Sequence, residues 1–202
     1  MNDLVVLVSD KNMEHAVRGL LRRRQALAIR AVTHDLFVHP RHDPGCLNEA
    51  PGFLRPLSRA YHHALVMFDH EGCGREGEQA DRVADGLKGR LQRSGWSDRA
   101  EVVVLAPELD VWVWTPSPHV DSCLGWTGRQ PPLRDWLVEN GYWSAGAEKP
   151  DRPKEAMEAA LRHVGRPRSS AIYLELAERV SLQGHNDPAF MRLTRALQRW
   201  FP

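Results

Sequence analysis

The chain has 202 residues, of which 42% are hydrophobic and 26% are charged. This length and composition are typical of a globular protein with one well-formed core, and they exclude a disordered or fibrous chain. The 27 basic residues are nearly balanced by 26 acidic ones, which leaves a net charge of +1. Such a balance excludes a generally basic nucleic-acid coat, so any contact with nucleic acid is expected to come from a local patch.

Three cysteines, an odd number in a chain of this length, do not form a disulfide framework and indicate a reducing compartment. No apolar run approaches the roughly 20 residues that span a bilayer. The apolar run at residues 4–8 lacks the basic start of a signal peptide. We therefore expect a soluble, cytoplasmic protein that makes no use of a membrane.

Short apolar runs in the first half of the chain predict strands that are buried on both faces, at residues 4–8, 64–68 and 102–106. Residues 29–38 are a weaker fourth candidate. Helical periodicity begins at Met13 and recurs over residues 80–91, and a shorter helix is expected between Phe53 and Tyr61. This alternation predicts an α/β fold with a mostly parallel sheet flanked by helices.

The second half of the chain is rich in proline and tryptophan and then becomes helical. Four helices are expected, over residues 133–140, 154–164, 170–180 and 188–201. The last is the best marked, with Asp187 as N-cap and Pro188 at the first helical position. An exposed loop is expected over residues 141–153. We divide the chain into an α/β domain, residues 1–115, and a loop-rich, α-helical C-terminal extension, residues 116–202, packed on it.

Acidic residues follow each of the three strong strands. They are Asp10 and Glu14 after the first strand, Asp69 and Glu71 after the second, and Glu108 and Asp110 after the third. Ligands of an open parallel sheet bind beyond the carboxyl ends of the strands, so these acids are expected at the ligand edge. Two such acids with a third from a neighbouring strand can share a hard divalent cation such as Mg²⁺. The alternative is that the acids are helix N-caps and first-turn residues that complement the helix dipole.

Other motifs are weaker. Residues 72–77 read G-x-G-x-x-G after a strand, but Asp69 and Glu71 stand beside the place of a pyrophosphate, so the glycines are expected to turn the backbone. The spacing of His39, His42, Cys46, His70 and Cys73 matches no zinc ligand set, and Cys46 and Cys73 are expected to be buried at tight turns.

Two basic segments and the late tryptophans each allow a structural and a functional interpretation. Arg22, Arg23 and Arg24 are expected to form the solvated face of a helix. Arg166 and Arg168 precede a predicted helix start, where anions bind readily. The tryptophans are expected to be core residues or interface anchors. Trp112 and Trp114 are expected to wall the cleft that Glu108 and Asp110 enter.

The order of these motifs resembles the Toprim-type fold of topoisomerases, primases and OLD-family nucleases. In that family an acid follows the first strand and a D-x-D or D-x-E pair follows a later one, and together they bind Mg²⁺ for phosphodiester chemistry. More closely, the chain is similar to small Toprim-like proteins of bacterial defence islands. The shared segments are Val8-Ser9-Asp10-Lys11-Asn12-Met13-Glu14, Phe68-Asp69-His70-Glu71-Gly72, Pro107-Glu108-Leu109-Asp110-Val111-Trp112 and Asp187-Pro188-Ala189-Phe190.

The resemblance implies a component of a methylation-associated anti-phage defence system that works with other proteins of the same system. One position departs from the family pattern. Toprim proteins usually place a glutamate, then a glycine, at the end of the first strand, where this chain has Ser9 and Asp10. The first acid is therefore shifted to Asp10, supplied by Glu14, or missing.

Two functional hypotheses follow. In the first, the chain is a Mg²⁺- or Mn²⁺-dependent nuclease or phosphoesterase of Toprim type that acts on nucleic acid. Its candidate catalytic residues are Asp10, Glu14, Asp69 and Glu71, and its candidate metal ligands are Asp10, Asp69, Glu71, Glu108 and Asp110. In the second, the chain is a catalytically inactive adaptor or sensor subunit of a multi-protein defence complex, which the near-neutral charge and the late tryptophans favour.

Overall fold

Four parallel strands form the centre of the structure, a computed structural model that describes residues 1–182 and 186–202. They are β1 (Asn2–Val8), β2 (His34–Val38), β3 (Tyr61–Asp69) and β4 (Ala100–Leu105). The sheet order is β2-β1-β3-β4, with every neighbouring pair parallel. The predicted α/β fold with a parallel sheet is therefore confirmed, and the carboxyl ends of all four strands lie at one edge.

The sheet is covered on both faces, which explains why its strands are continuously apolar. Side chains alternate between the faces along a strand. Leu4, Val6 and Val8 belong to one cluster of buried residues, while Val5 and Leu7 belong to a second. A hydrophobic run without a polar face is thus the pattern that a central parallel strand requires.

Helices on the first face come from both halves of the chain. They are α1 (Lys11–Arg22), α2 (Arg24–Leu27), α5 (His119–Cys123), α6 (Leu133–Glu139), α7 (Pro153–Val164), α8 (Ser170–Arg179) and α9 (Pro188–Trp200). The second face is covered by α3 (His42–Leu54) and α4 (Ala80–Leu91). The C-terminal helices share one core with β1 and α1. Within the described residues, no helix has both the length and the apolarity needed to cross a membrane.

The contact between α1 and α8 ties the C-terminal extension to the sheet. At Gly19 a Cβ atom would lie 2.7 Å from Cβ of Ala177 and 3.0 Å from the carbonyl oxygen of Leu174, so the helices approach at a residue without a side chain. Arg23 donates to the carbonyl oxygens of Ala177 and Val180, at 3.0 and 2.6 Å. The prediction that this arginine belongs to a solvated helix face was therefore wrong, because it satisfies the last carbonyls of α8.

The helix expected between Phe53 and Tyr61 was placed too late in the chain. The structure instead forms α3 over His42–Leu54, followed by one 3-10 turn at Arg55–Leu57. Two prolines and two glycines lower the intrinsic helix propensity of this segment. Burial of Cys46, Ala50 and Leu54 against the sheet overrides that preference.

Two other segments differ from their predicted form. Of the expected strand over residues 29–38, only His34–Val38 pairs with β1, because α2 ends at Ala28 in a left-handed conformation and an irregular stretch follows. Residues 141–152 form the expected irregular segment, but it is not fully exposed. Trp143 and Pro150 are buried and anchor it to the core.

The N-terminus of α9 matches the prediction. The side chain of Asp187 accepts a hydrogen bond from the backbone N–H of Phe190 at 3.0 Å, and Pro188 is the first helical residue. The same carboxylate oxygen accepts from the indole nitrogen of Trp112 at 2.9 Å. This cap therefore also positions the segment that follows β4.

The late tryptophans belong to the core and not to an exposed surface. Trp112, Trp114, Trp126 and Trp143 are all at most 9% exposed. Trp114 and Trp143 pack edge to face with ring centroids 5.4 Å apart. Their burial removes the observation that favoured a tryptophan-based partner surface.

Candidate functional site

The strand order places a crevice between the carboxyl ends of β1 and β3. The chain leaves β1 towards β2 on one side and then crosses to β3 on the other, so the direction of winding reverses between β1 and β3. Open α/β sheets bind ligands at such a switch point. Val8 pairs with Met67 in the sheet, so Asp10 and Asp69 follow neighbouring strands into this crevice.

Asp10 begins α1 as its N-cap. Its Oδ1 accepts a hydrogen bond from the backbone N–H of Met13 at 2.8 Å, as expected for a residue that completes the first turn. The N-cap interpretation is therefore confirmed for this acid. Its Oδ2 receives no hydrogen bond from the described residues, so the capping role uses only half of the carboxylate.

Asp43 is a member of the site that sequence reasoning missed. It lies in the first turn of α3, and its Oδ1 accepts a hydrogen bond from the backbone N–H of Asp69 at 2.9 Å. It was missed because α3 was not predicted. The signal was present, since Asp43 follows the weak strand β2 just as other acids follow the strong strands.

Asp69 ends β3 and lies at the centre of the acidic group. Its Oδ1 accepts from the backbone N–H of Leu109 at 2.8 Å. Burial and the nearby carboxylates of Asp43, Asp10 and Asp110 raise the pKa of Asp69 well above its ordinary value. The structure therefore brings together acids from the ends of all four strands.

Asp110 is already compensated by the protein. It is 1% exposed, and it accepts hydrogen bonds from the hydroxyl of Tyr173 at 2.7 Å and from the guanidinium of Arg168 at 3.1 Å. Burial raises the pKa of Asp110, and both partners oppose that shift. The arginine that the sequence suggested for anion binding is thus occupied by an internal ion pair.

Glu108 is a buried site acid whose pKa lies near neutrality. It is 5% exposed, and Lys154 Nζ lies 3.5 Å from its Oε2. Burial and the charge of Asp110 raise the pKa of Glu108 to about 7, while Lys154 opposes the shift and Glu71 adds to it. Glu71 itself is exposed, so it lies at the rim and not at the floor of the site.

Glu14 is held by ion pairs on its own helix. Its two carboxylate oxygens lie 2.6 Å from Lys11 Nζ and 2.7 Å from Arg18 Nη2. Although burial favours the protonated form, these two cations hold the pKa of Glu14 below its ordinary value. These ion pairs favour the ionised form of Glu14 in the folded chain.

The donor chemistry of the crevice suits a hard cation. Asp10, Asp43 and Asp69 each use Oδ1 to accept one backbone N–H, and none of the three forms an ion pair with a basic side chain in the described ranges. No group of three or more His, Cys, Asp or Glu side chains in the described part of the chain is arranged to hold a metal ion. Within those residues the carboxylates therefore do not form a closed metal cage.

The glycine-rich loop after β3 turns sharply, as predicted. Gly72 and Gly74 have φ angles of +84° and +88°, which a residue with a side chain adopts only with strain. Cys73 is buried at this turn, as expected, whereas Cys46 lies within α3 and not at a turn.

The fold and the site define an α/β protein with an acidic crevice at its switch point. Comparison with protein-family models, with curated proteins and with solved structures found no match to this chain.

Proposed function

We propose that this protein binds Mg²⁺ or Mn²⁺ between the carboxyl ends of β1 and β3 and hydrolyses phosphodiester bonds of nucleic acid. The observation that carries the proposal is the placement of three acids, Asp10, Asp43 and Asp69, at the carboxyl ends of β1, β2 and β3 beside the switch point of the sheet, where the charges of Asp43 and Asp10 act on Asp69. Each has one oxygen anchored by a backbone N–H and a second oxygen left for a ligand.

The electrostatics of the crevice favour a cation. Burial raises the pKa of Asp69, and the charges of the neighbouring carboxylates raise it further, because carboxylates that lie close together repel one another. Mg²⁺ is commonly bound by one or two carboxylates together with substrate phosphates. When bound, such an ion neutralises phosphate charge and activates water.

Backbone hydrogen bonds of the protein fix the orientation of these carboxylates. The hydrogen bond from the N–H of Asp69 to Asp43 joins β3 to α3, and the bond from the N–H of Leu109 to Asp69 joins β3 to the segment after β4. The carboxylates are therefore held by backbone groups of rigid elements. Preorganisation of this kind lowers the cost of assembling a charged site.

Glu108 is the candidate for proton transfer. A general acid or base is most effective when its pKa lies near the working pH, and the pKa of Glu108 is about 7. It can hold a proton for a leaving oxygen and release it near neutrality. Lys154, 3.5 Å away, stabilises the deprotonated form.

The biological setting of the proposal rests on the resemblance to Toprim-like defence proteins. That resemblance supports a cytoplasmic component of an anti-phage system that acts with other proteins of the same system. Ser9 occupies the family's usual glutamate position, is buried, and accepts a hydrogen bond at its carbonyl oxygen from His42 Nδ1 at 3.0 Å. We therefore assign the role of the first acid to Asp10.

A non-catalytic adaptor is the second candidate. It is favoured by the internal neutralisation of Asp110, which Arg168 and Tyr173 achieve without a metal. In this case the acidic residues would have no catalytic role, and the chain would act through its partner proteins.

Calorimetric titration of Mn²⁺ and Mg²⁺ into purified protein separates these candidates. Asp69→Asn and Asp43→Asn keep the shape and the hydrogen-bond acceptor of each side chain but remove its charge. We expect each to weaken metal binding at least tenfold and to abolish cleavage of labelled single- and double-stranded DNA. The matched control is Asp98→Asn, an exposed acid that precedes β4 at the opposite edge of the sheet.

The outcomes are distinct. Tight binding that is lost in both crevice variants and kept in Asp98→Asn supports the metal enzyme. A folded wild-type protein that binds neither ion contradicts it and supports the adaptor. Metal binding without any cleavage would also support the adaptor, with the ion in a structural role.

A further inference from the structure

A polar cavity lies at the amino edge of the sheet, at the opposite end of the strands from the acidic residues. Its volume is about 530 Å³. One wall is the segment that precedes β3, and the other is the turn that follows α4 and precedes β4. The lining residues are Arg55, Ser58, Arg59, Arg93, Ser94 and Gly95.

The lining of this cavity is positive and contains no carboxylate. The side chains of Arg55, Arg59 and Arg93 are exposed, and none of them forms an ion pair with an acidic side chain across the described residues. Most other arginines at the surface of this protein have an acidic partner, such as Arg22 with Glu178. Three uncompensated guanidinium groups in one concavity are an arrangement that attracts an anion.

The walls of the cavity are joined by a fourth arginine beneath them. Arg99 donates to the carbonyl oxygen of Ser58 at 3.2 Å on one wall and to that of Gly95 at 3.1 Å on the other. It also donates to the carbonyl oxygens of Tyr61 and His62, each at 3.0 Å. The two walls are therefore held in place before any ligand arrives, which reduces the entropic cost of binding.

We propose that this cavity binds phosphate groups and that their source is the backbone of a nucleic acid. The guanidinium group matches phosphate oxygens with paired donors, and three such groups favour a ligand with repeated phosphates. The lining has no aromatic side chain on which a base can stack. Contacts in the cavity are therefore to the backbone and independent of base sequence.

This site is separate from the acidic crevice. The nine residues of β3 lie between the two, which corresponds to about 26 Å along the strand. Binding here requires no metal, so the inference stands whether or not the crevice is catalytic.

The test measures binding in the presence of EDTA. Fluorescence anisotropy with a labelled single-stranded oligonucleotide is compared with calorimetric titration of inorganic phosphate. The variant is Arg55→Ala/Arg59→Ala/Arg93→Ala. The control is Arg24→Ala/Arg82→Ala/Arg195→Ala, which removes the same charge from exposed positions that do not line the cavity.

We expect the cavity variant to bind the oligonucleotide at least tenfold more weakly than the wild type. The slope of the logarithm of its affinity against the logarithm of the salt concentration should decrease in magnitude by about 2. Each phosphate contact to a single strand contributes about 0.7 to this slope, and three arginines are removed. The control variant should stay within twofold of the wild type.

Binding of inorganic phosphate alone, lost in the cavity variant, would support the phosphate site but overturn the nucleic acid as its source. No binding of either ligand to the wild-type protein overturns the proposal. Equal losses in the cavity and control variants also overturn it, because the effect would then come from net charge alone.

Discussion

The two ends of the sheet carry opposite charges in a chain whose net charge is +1. At the carboxyl edge, burial and the charges of Asp43 and Asp10 raise the pKa of Asp69. At the amino edge, the arginine cavity contains no acid. The comparison shows that a balanced composition conceals an acidic site and a basic site at opposite ends of the same strands.

The two ends also differ in burial, and burial decides how each responds to change. Asp110 and Glu108 are at most 5% exposed, so their ionisation is coupled to folding. The arginines of the cavity are exposed, so their charge costs little in stability. Substitutions at the acidic end should therefore change stability, and substitutions of the three exposed arginines that line the cavity should mainly change binding.

The largest effect is expected for Arg168→Met. This variant leaves the buried carboxylate of Asp110 without its ion-pair partner, and loss of one partner of a buried pair costs about 3 kcal/mol or more. Urea unfolding at pH 7 measures the loss. The double variant Asp110→Asn/Arg168→Met should recover a large part of it, and a loss below about 1 kcal/mol would contradict the assigned pairing.

The control for this prediction is Arg179→Met. Arg179 forms an exposed ion pair with Glu175 at 2.7 Å, and exposed pairs contribute about 0.5 kcal/mol. A similar loss of unfolding free energy in both variants would show that the buried pair at the acidic end stabilises the protein no more than an exposed pair does.

The second-largest effect is expected for the pH dependence of stability, through the carboxyl group of Glu108. Its carboxyl group holds its proton more tightly in the folded chain than in the unfolded one, so the folded state loses stability as the pH rises from about 4.5 to about 7. A pKa difference of this size between the folded and the unfolded chain corresponds to roughly 3 kcal/mol in the free energy of unfolding. Glu108→Gln should therefore raise the melting temperature at pH 8 and have little effect at pH 4.

The matched control here is Glu139→Gln, an exposed residue at the end of α6. Its melting temperature should follow that of the wild type at both pH values. If Glu108→Gln lowers the melting temperature at pH 8, the carboxylate is stabilising and the direction of the pKa shift is wrong.

The smallest effect on stability is expected at the basic end, for Arg99→Lys. This variant keeps the charge but loses the planar group that bonds four carbonyl oxygens, at a cost of about 2 kcal/mol. Oligonucleotide affinity should fall together with stability, because the walls of the cavity are no longer joined. Unchanged affinity in a destabilised variant would show that the wall geometry does not matter for binding.

The sequence by itself determined the sheet and most of its acidic edge. Continuous apolar runs at β1, β3 and β4 predict strands with both faces covered, and parallel strands end at one edge. Asp10 and Asp69 could therefore be assigned to the same edge of the sheet from their positions alone, whereas the strand order that makes β1 and β3 neighbours came from the structure. The N-terminus of α9 could also be predicted from local sequence, because an N-cap and a first-turn proline lie next to each other in the chain.

Only the tertiary structure decided which charges meet. Asp43 and Asp69 are 26 residues apart, and Asp110 and Arg168 are 58 apart. No local pattern records such contacts, because they depend on how helices pack across the sheet. The helix α3 formed against its own propensity for the same reason: burial against the sheet outweighed its prolines and glycines.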